Sequence, residues 1–301
     1  MKTEVRQLAN LPGHQGAVYA LESGEQDGTC FSAGADKLIT SWDLHTCTNL
    51  PFLARLPDPV YSLCYVREKN ILLAGTSTGA IHIIDLLRKE EVKILRHHTA
   101  QIFDIRYSLK QNTFYTAGGD GVLGVCSLDT FSATRILKLS TAKVRQLDLS
   151  SDEEELAVAC GDGNILLLEA GTGKEKFRFS AHQFSANAVR YHPNGLTLLS
   201  GGKDAYLRVW DRQHSFAELA AIPAHNFAIY QIAFQPEGKL FATASRDKTI
   251  KLWDASDYRF LLRIDKDNYA GHVNSVNTLL WKERLVSAGD DRSLLVWDVE
   301  A

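Results

Sequence analysis

The sequence predicts an all-β fold: seven four-stranded antiparallel units closed into a ring, with the N-terminal strand joining the last unit. Three observations predict it. A pattern returns about every 42 residues, each copy contains four short β-rich runs, and one unmatched strand stands at the N-terminus.

The repeat shows first in four Trp-Asp dipeptides, at Trp42, Trp210, Trp253 and Trp297, which close the similar runs LITSWD, YLRVWD, TIKLWD and SLLVWD. Weaker copies (AIHIID, VLGVCS, NILLLE) put Ile84, Cys126 and Leu168 at the tryptophan position. Successive separations are then 42 four times, followed by 43 and 44. Within the sixth copy, FAELAAIP, IYQIAFQ, LFATAS and TIKLWDA read as strands, and AHN, PEGK and RDK as the turns between them. No 3.6-residue apolar period is sustained. The best helical competitor is residues 86–98, but the repeat register makes EVKILR a strand equivalent to TRILKL and KFRFSA. A unit of this size cannot bury both its faces alone, whereas a closed ring of them can.

The chain starts on TEVRQLANL and stops just after Trp297-Asp298. Residues 3–9 are therefore expected to supply the missing strand of the last unit, which removes two exposed sheet edges. The repeat starts at 14, 55, 97, 140, 182, 225 and 272 are expected to be seams within one domain spanning residues 1–301.

Composition narrows the function. With 45% hydrophobic and 23% charged residues the chain is ordinary globular material. A net charge of −3 supplies no overall field for nucleic-acid phosphates or anionic membranes, so nucleic-acid partners and membrane insertion are not expected, although a local basic patch is compatible with it. Five cysteines without a CxxC pair argue against a disulfide framework and a zinc module. The N-terminus has no apolar signal-like core and the chain has no Asn-x-Ser/Thr sequon, so a cytoplasmic protein is expected.

A polar pattern lies inside the repeat. An Asp precedes the tryptophan by six residues, and Ser or Thr precedes that Asp by four. A His stands 28 residues before the tryptophan in three repeats and 25 before it in the last. The complete sets are His14/Ser32/Asp36/Trp42, His182/Ser200/Asp204/Trp210, His225/Thr243/Asp247/Trp253 and His272/Ser287/Asp291/Trp297. Together with Gly13-His14 and Gly271-His272, softened to Ala181-His182 and Ala224-His225, these residues resemble the WD-repeat β-propeller family over residues 1–301. The resemblance implies a single seven-bladed β-propeller and a buried hydrogen-bonded tetrad in each complete repeat. The residue types suit such a tetrad. A carboxylate accepts from His, the other His nitrogen accepts from the hydroxyl, and the hydroxyl oxygen accepts the indole N–H. His, Ser and Asp also evoke a hydrolase triad, but an enzyme needs one site and the set recurs four times, so a structural role is expected. Repeat 3 keeps His98, Thr116 and Asp120 but has Cys126 for Trp. Repeat 4 keeps only Asp162, with Ser140, Val158 and Leu168 at the other positions. Repeat 2 has Leu56, Ala74, Thr78 and Ile84. Repeats 2 to 4 are expected to rely on apolar packing instead.

Other motifs read as structure. Gly75–Gly79 matches G-x-S-x-G but falls in a turn between strands, and Gly171–Lys174 lacks the remaining residues of a phosphate loop. Cys126 and Cys160 fall within strands, where cysteine is a small buried hydrophobe. Asp152–Glu155 reads as a solvated acidic turn. No catalytic residue, cofactor or metal site is expected.

The informative surface is the rim on which the His and Asp turns meet. Five residues after the His position stand Tyr19, Tyr61, Phe103, Arg145, Asn187, Tyr230 and Asn277, and just before the Asp position Lys203 and Arg246. Tyr19, Tyr61, Phe103, Arg145, Lys203, Tyr230 and Arg246 are the residue types enriched where proteins bind each other. The reading is a non-catalytic scaffold, monomeric by itself, that binds protein or peptide partners there. One alternative is a nucleic-acid-associated subunit using Arg145, Lys203 and Arg246. The other is a propeller enzyme, which would need an asymmetric cluster of titratable groups. The ligase adaptors of the family favour Trp-Asp-x-Arg, whereas here His45, Gln213, Ser256 and Glu300 stand at that position.

Overall fold

The computed structural model describes residues 3–300. Its fold class is the seven-bladed β-propeller: seven four-stranded antiparallel sheets, each with its strands side by side in chain order, except that the last sheet takes its fourth strand from the N-terminus. Two compact units hold them, residues 1–60 with 225–301, and residues 61–224.

The unit of residues 61–224 carries sheets 2 to 5, the first of which starts one residue earlier. Sheet 2 is Val60–Val66, Ile71–Thr76, Ile81–Asp85 and Glu90–Leu95, so the segment with helical character is a strand. Sheet 3 is Ile102–Ser108, Thr113–Gly118, Val122–Ser127 and Ser132–Lys138. Sheet 4 is Val144–Leu149, Glu155–Cys160, Asn164–Glu169 and Glu175–Ser180. Sheet 5 is Ala186–Tyr191, Thr197–Gly202, Tyr206–Asp211 and Ala217–Pro223. In each sheet the second and third strands are near-continuous apolar runs, such as ILLAGT and NILLLE, and are almost wholly buried, as strands covered on both faces must be. The fourth strands are largely exposed, as in EKFRFS. Apolar layers fill the spaces between sheets: Ile71, Leu73, Ile83 and Ile105 in one, and Tyr115, Leu147, Val158 and Leu166 in the next.

Packing in this unit is not only apolar, which corrects the expectation for repeats 2 to 4. In repeats 2 to 4 the side chain six residues after the His position is polar and reaches the first strand of the next sheet. The Ser62 hydroxyl donates to the Ile102 carbonyl at 3.0 Å. Asp104 accepts the Leu147 amide at 2.9 Å, and Gln146 accepts the Val189 amide at 2.8 Å. Asp148 adds the Tyr191 amide and the Arg190 guanidinium, both at 2.7 Å. The tie does not require a failed tetrad, since Gln231 in the complete repeat 6 accepts the Leu279 amide at 2.8 Å in the same way. The acidic turn is likewise engaged: Glu153 accepts from the Ser108 hydroxyl and the Lys110 amide, and Glu154 pairs with Lys110.

The other unit holds sheets 1, 6 and 7. Sheet 1 is Val18–Ser23, Thr29–Gly34, Leu38–Asp43 and Thr48–Arg55. Sheet 6 is Ile229–Phe234, Leu240–Ser245, Ile250–Asp254 and Phe260–Ile264. Sheet 7 is Val276–Trp281, Leu285–Gly289 and Leu294–Glu300, with Glu4–Leu11 as its fourth strand. That strand runs antiparallel to the last one, from Glu4 opposite Glu300 to Leu11 opposite Leu294. Leu11 is buried among Val18, Trp42 and Val296, so the strand is held by its side chains as well as its backbone. One element had no sequence signal: a helical turn over Lys266–Tyr269, capped by the Asp265 carboxylate, which accepts the Asn268 amide at 2.9 Å. No helix among the described residues is long and apolar enough to cross a membrane.

Candidate functional site

The site is built on the turn that precedes each first strand, and the polar sets hold that turn. In repeat 1, His14 Nδ1 lies 2.8 Å from Asp36 Oδ2, His14 Nε2 2.7 Å from Ser32 Oγ, and the Trp42 indole donates to the same hydroxyl oxygen at 2.8 Å. Asp36 also accepts the Gln15 amide at 2.9 Å, which fastens the chain just after the histidine. The same network joins His182, Ser200, Asp204 and Trp210, then His225, Thr243, Asp247 and Trp253, then His272, Ser287, Asp291 and Trp297. All four histidines and all four hydroxyl residues are buried. Burial pushes the Asp247 carboxyl up, but the bonds from His225, Thr249 and the Asn226 amide outweigh it and hold the group well below the usual carboxylate range. Burial also lowers His225, against the pull of Asp247, so the ring is neutral and each nitrogen has a fixed role.

Repeat 3 solves the loss of tryptophan in its own way. His98 keeps its bonds to Asp120 and Thr116, and His97 Nε2 reaches the Thr116 hydroxyl at 3.0 Å. Gly124 makes the room, because a Cβ there would stand 2.2 Å from His97 Nε2. In repeat 4 the Ser140 hydroxyl replaces the histidine and donates to Asp162 at 2.7 Å. Repeat 2 has no such set; there the buried His82 turns Nδ1 to Glu91 at 2.5 Å.

The residues five after the His position share a backbone feature. In six sheets the pairing of first and second strands slips by one residue, and the extra residue is Tyr19, Phe103, Arg145, Asn187, Tyr230 or Asn277. Each is thus a β-bulge, which takes one residue out of the ladder and re-aims its side chain. The two asparagines are used internally: Asn277 donates to the Val18 carbonyl and to Asp290, and Asn187 is buried with Ser185 within hydrogen-bond reach. The tyrosines, Phe103 and Arg145 are half-buried, and Lys203 and Arg246 are exposed.

Within residues 61–224 these side chains assemble. Tyr61 meets Phe103 edge to face, with centroids 6.0 Å apart, and the Arg145 guanidinium lies over the Phe103 ring at 4.2 Å. Lys143 stands over the same ring at 5.3 Å. Lys203 lies 5.9 Å over Phe184, which is 52% exposed. In the other unit, Arg246 lies 6.0 Å over Phe227, which is 57% exposed. Sequence reasoning missed Phe184 and Phe227. Their signal was an aromatic two residues after the tetrad histidine, in AHQF and AHNF, paired with a cation just before the tetrad aspartate.

The remaining motifs take structural places. Gly79 is a turn residue at φ +87°, and Gly75–Gly79 joins two strands of sheet 2 rather than a strand and a helix. Burial pushes the Cys126 and Cys160 thiols up to about 12, which leaves no thiolate for chemistry at neutral pH.

Comparison with known proteins places the chain. The family model described as WD domain, G-beta repeat matches residues 5–43, 173–211, 216–254 and 265–298, together half of the chain. The stretch without a match contains the repeats whose tetrads are incomplete. The chain is 22% identical to Autophagy-related protein 16 of Arabidopsis thaliana, over 67% of this chain and 40% of that one. It is 24% identical to Striatin-4 of Homo sapiens, over 69% of this chain and 30% of that one. To Serine-threonine kinase receptor-associated protein of Gallus gallus it is 26% identical, over 67% of this chain and 69% of that one. The chain thus spans less than half the length of the first two relatives. Four matched repeats, each with its His, Ser or Thr, Asp and Trp bonded to one another, make this chain a member of the WD-repeat family.

Proposed function

We propose that the protein is a non-catalytic scaffold that captures protein or peptide partners on the face where the His and Asp turns meet. The observation that carries the reading is the bulge at the start of the first strands, which lifts Tyr19 and Tyr230 in one unit, and Phe103 and Arg145 in the other, out of the sheet ladder. Across the sheets this position carries Tyr, Phe, Arg or Asn, whereas the buried tetrad positions repeat. A surface that recognises a partner needs that asymmetry, and aromatics beside arginine offer large contact area with directional hydrogen bonds. Tyr61, Lys203 and Arg246 complete the set. The histidine, hydroxyl and carboxylate groups that could suggest hydrolysis are spent on one another and on the indoles. One relative is named as associated with a serine-threonine kinase receptor, which agrees in kind with an adaptor role. We propose a cytoplasmic setting, in which five unpaired thiols persist. The test is co-purification: Tyr61→Ala and Tyr230→Ala should lose a partner of the wild type while circular dichroism and melting stay unchanged. Unfolding of these variants would make the aromatics packing residues, and retention of every partner would move binding to another face.

A further inference from the structure

We infer that the His/Asp face of residues 61–224 takes an acidic peptide segment, its carboxylates on Lys143, Arg145 and Lys203 and an apolar side chain against Phe184. This rests on the reading of that face as the partner-binding surface and gives the partner a chemistry.

The cations form one continuous stretch. Arg145 and Lys143 share the Phe103 ring. The Gly161 amide donates to the Lys143 carbonyl at 2.7 Å, which seats the next turn directly beside it. That turn abuts the backbone of Phe184, since a Cβ on Gly163 would stand 2.4 Å from the Phe184 carbonyl oxygen. Phe184 in turn carries Lys203. Among the described residues neither lysine pairs with a carboxylate, and both are exposed. The carboxylates along the stretch are already engaged from inside: Asp120 by His98 and the Thr99 amide, Asp204 by His182, and Asp162 by Ser140 and the Asn164 amide. Asp120 and Asp204 are nearly buried against their histidines, so of the charge that meets solvent beside the aromatics most is positive.

The contact with Phe103 explains why arginine suits the central position. The ring holds the Arg145 guanidinium at 4.2 Å, and the planar fork of N–H groups suits a carboxylate taken side-on. Phe184 supplies the apolar contact, because half of a phenylalanine ring is left in water with a cation at its border. The geometry favours a polypeptide over a nucleic acid. Arg145 and Lys143 both lie over the Phe103 ring, where a base would have to stack, and the chain as a whole is anionic.

The experiment is fluorescence anisotropy on the full chain with three labelled probes: a capped peptide of alternating glutamate and phenylalanine, its counterpart with lysine for glutamate, and an oligothymidylate. The acidic peptide should bind, more weakly as salt rises, and the lysine peptide should not. Lys203→Glu with Arg145→Glu should weaken it roughly tenfold or more, with circular dichroism unchanged. If the arginine variant misfolds, Lys143→Glu with Lys203→Glu, at two exposed positions, carries the same expectation. Equal binding of both peptides, or unchanged affinity in a folded charge-reversed variant, overturns the inference, as does binding of the oligothymidylate in preference to the acidic peptide. Loss of a co-purifying partner in Tyr61→Ala but not in the charge-reversed variant overturns the acidic chemistry alone. Retention in both overturns the reading of the face itself.

Discussion

His97 Nε2 stands 3.0 Å from the Thr116 hydroxyl oxygen, the position that an indole N–H takes against the corresponding hydroxyl in four other repeats. Cys126 offers no comparable donor, and a histidine from the entering turn supplies it. The exchange depends on Gly124, which lies opposite Thr116 in the sheet and leaves the space that the imidazole fills.

Gly124→Ala should therefore destabilise the protein by roughly 1–3 kcal/mol, because the added methyl meets both His97 and the Thr116 hydroxyl. The same substitution in a His97→Ala background should cost clearly less, since the ring it collides with is gone. Urea denaturation of the four proteins measures both values. Equal costs in the two backgrounds would separate Gly124 from His97.

The pair also sets a pH dependence. Burial, with the nearby His98, lowers His97 from 6.5 to about 4. Between these values the unfolded chain takes up a proton that the folded chain refuses. The contribution of His97 is therefore complete above about pH 6.5 and is lost as pH falls toward 4. His97→Gln keeps an N–H donor but does not titrate. From pH 7 to pH 5 the wild type should lose melting temperature more steeply than this variant, and parallel curves would contradict the assignment.

The ties between sheets carry a third expectation. Gln146→Leu leaves the buried Val189 amide without its acceptor, at a cost of about 1–3 kcal/mol. Hydrogen exchange at Val189 should accelerate more than at Val158, which keeps its ladder partner within sheet 4. Uniform acceleration through the sheet would show general loosening rather than a lost tie.

The repeat and its tetrads were legible because one chemical role returned at one spacing, so that His14, His182 and His225 announced each other. His97 was not legible for the same reason. Its neighbour His98 already filled the repeated position, and its own role depends on Cys126 and Gly124, which only strand register brings to it. The ties escaped notice because Ser62, Asp104 and Gln146 do one job with three side chains. The rim positions could be counted from the histidine, but the bulges that aim them have no compositional mark: Tyr19, Phe103 and Arg145 share a backbone distortion and nothing else.

The sheet that pairs Glu4–Leu11 with Leu294–Glu300 bears on how the protein is made. Val5 lies opposite Val299, so this strand leaves the ribosome long before its partner is translated. At roughly 5–20 residues per second, that strand waits tens of seconds with an open edge while the other sheets form locally. Closing so long a loop adds little entropy beyond closing one half as long. The delay is thus a matter of time rather than of stability, and it leaves the nascent strand open to unwanted pairing until its partner emerges.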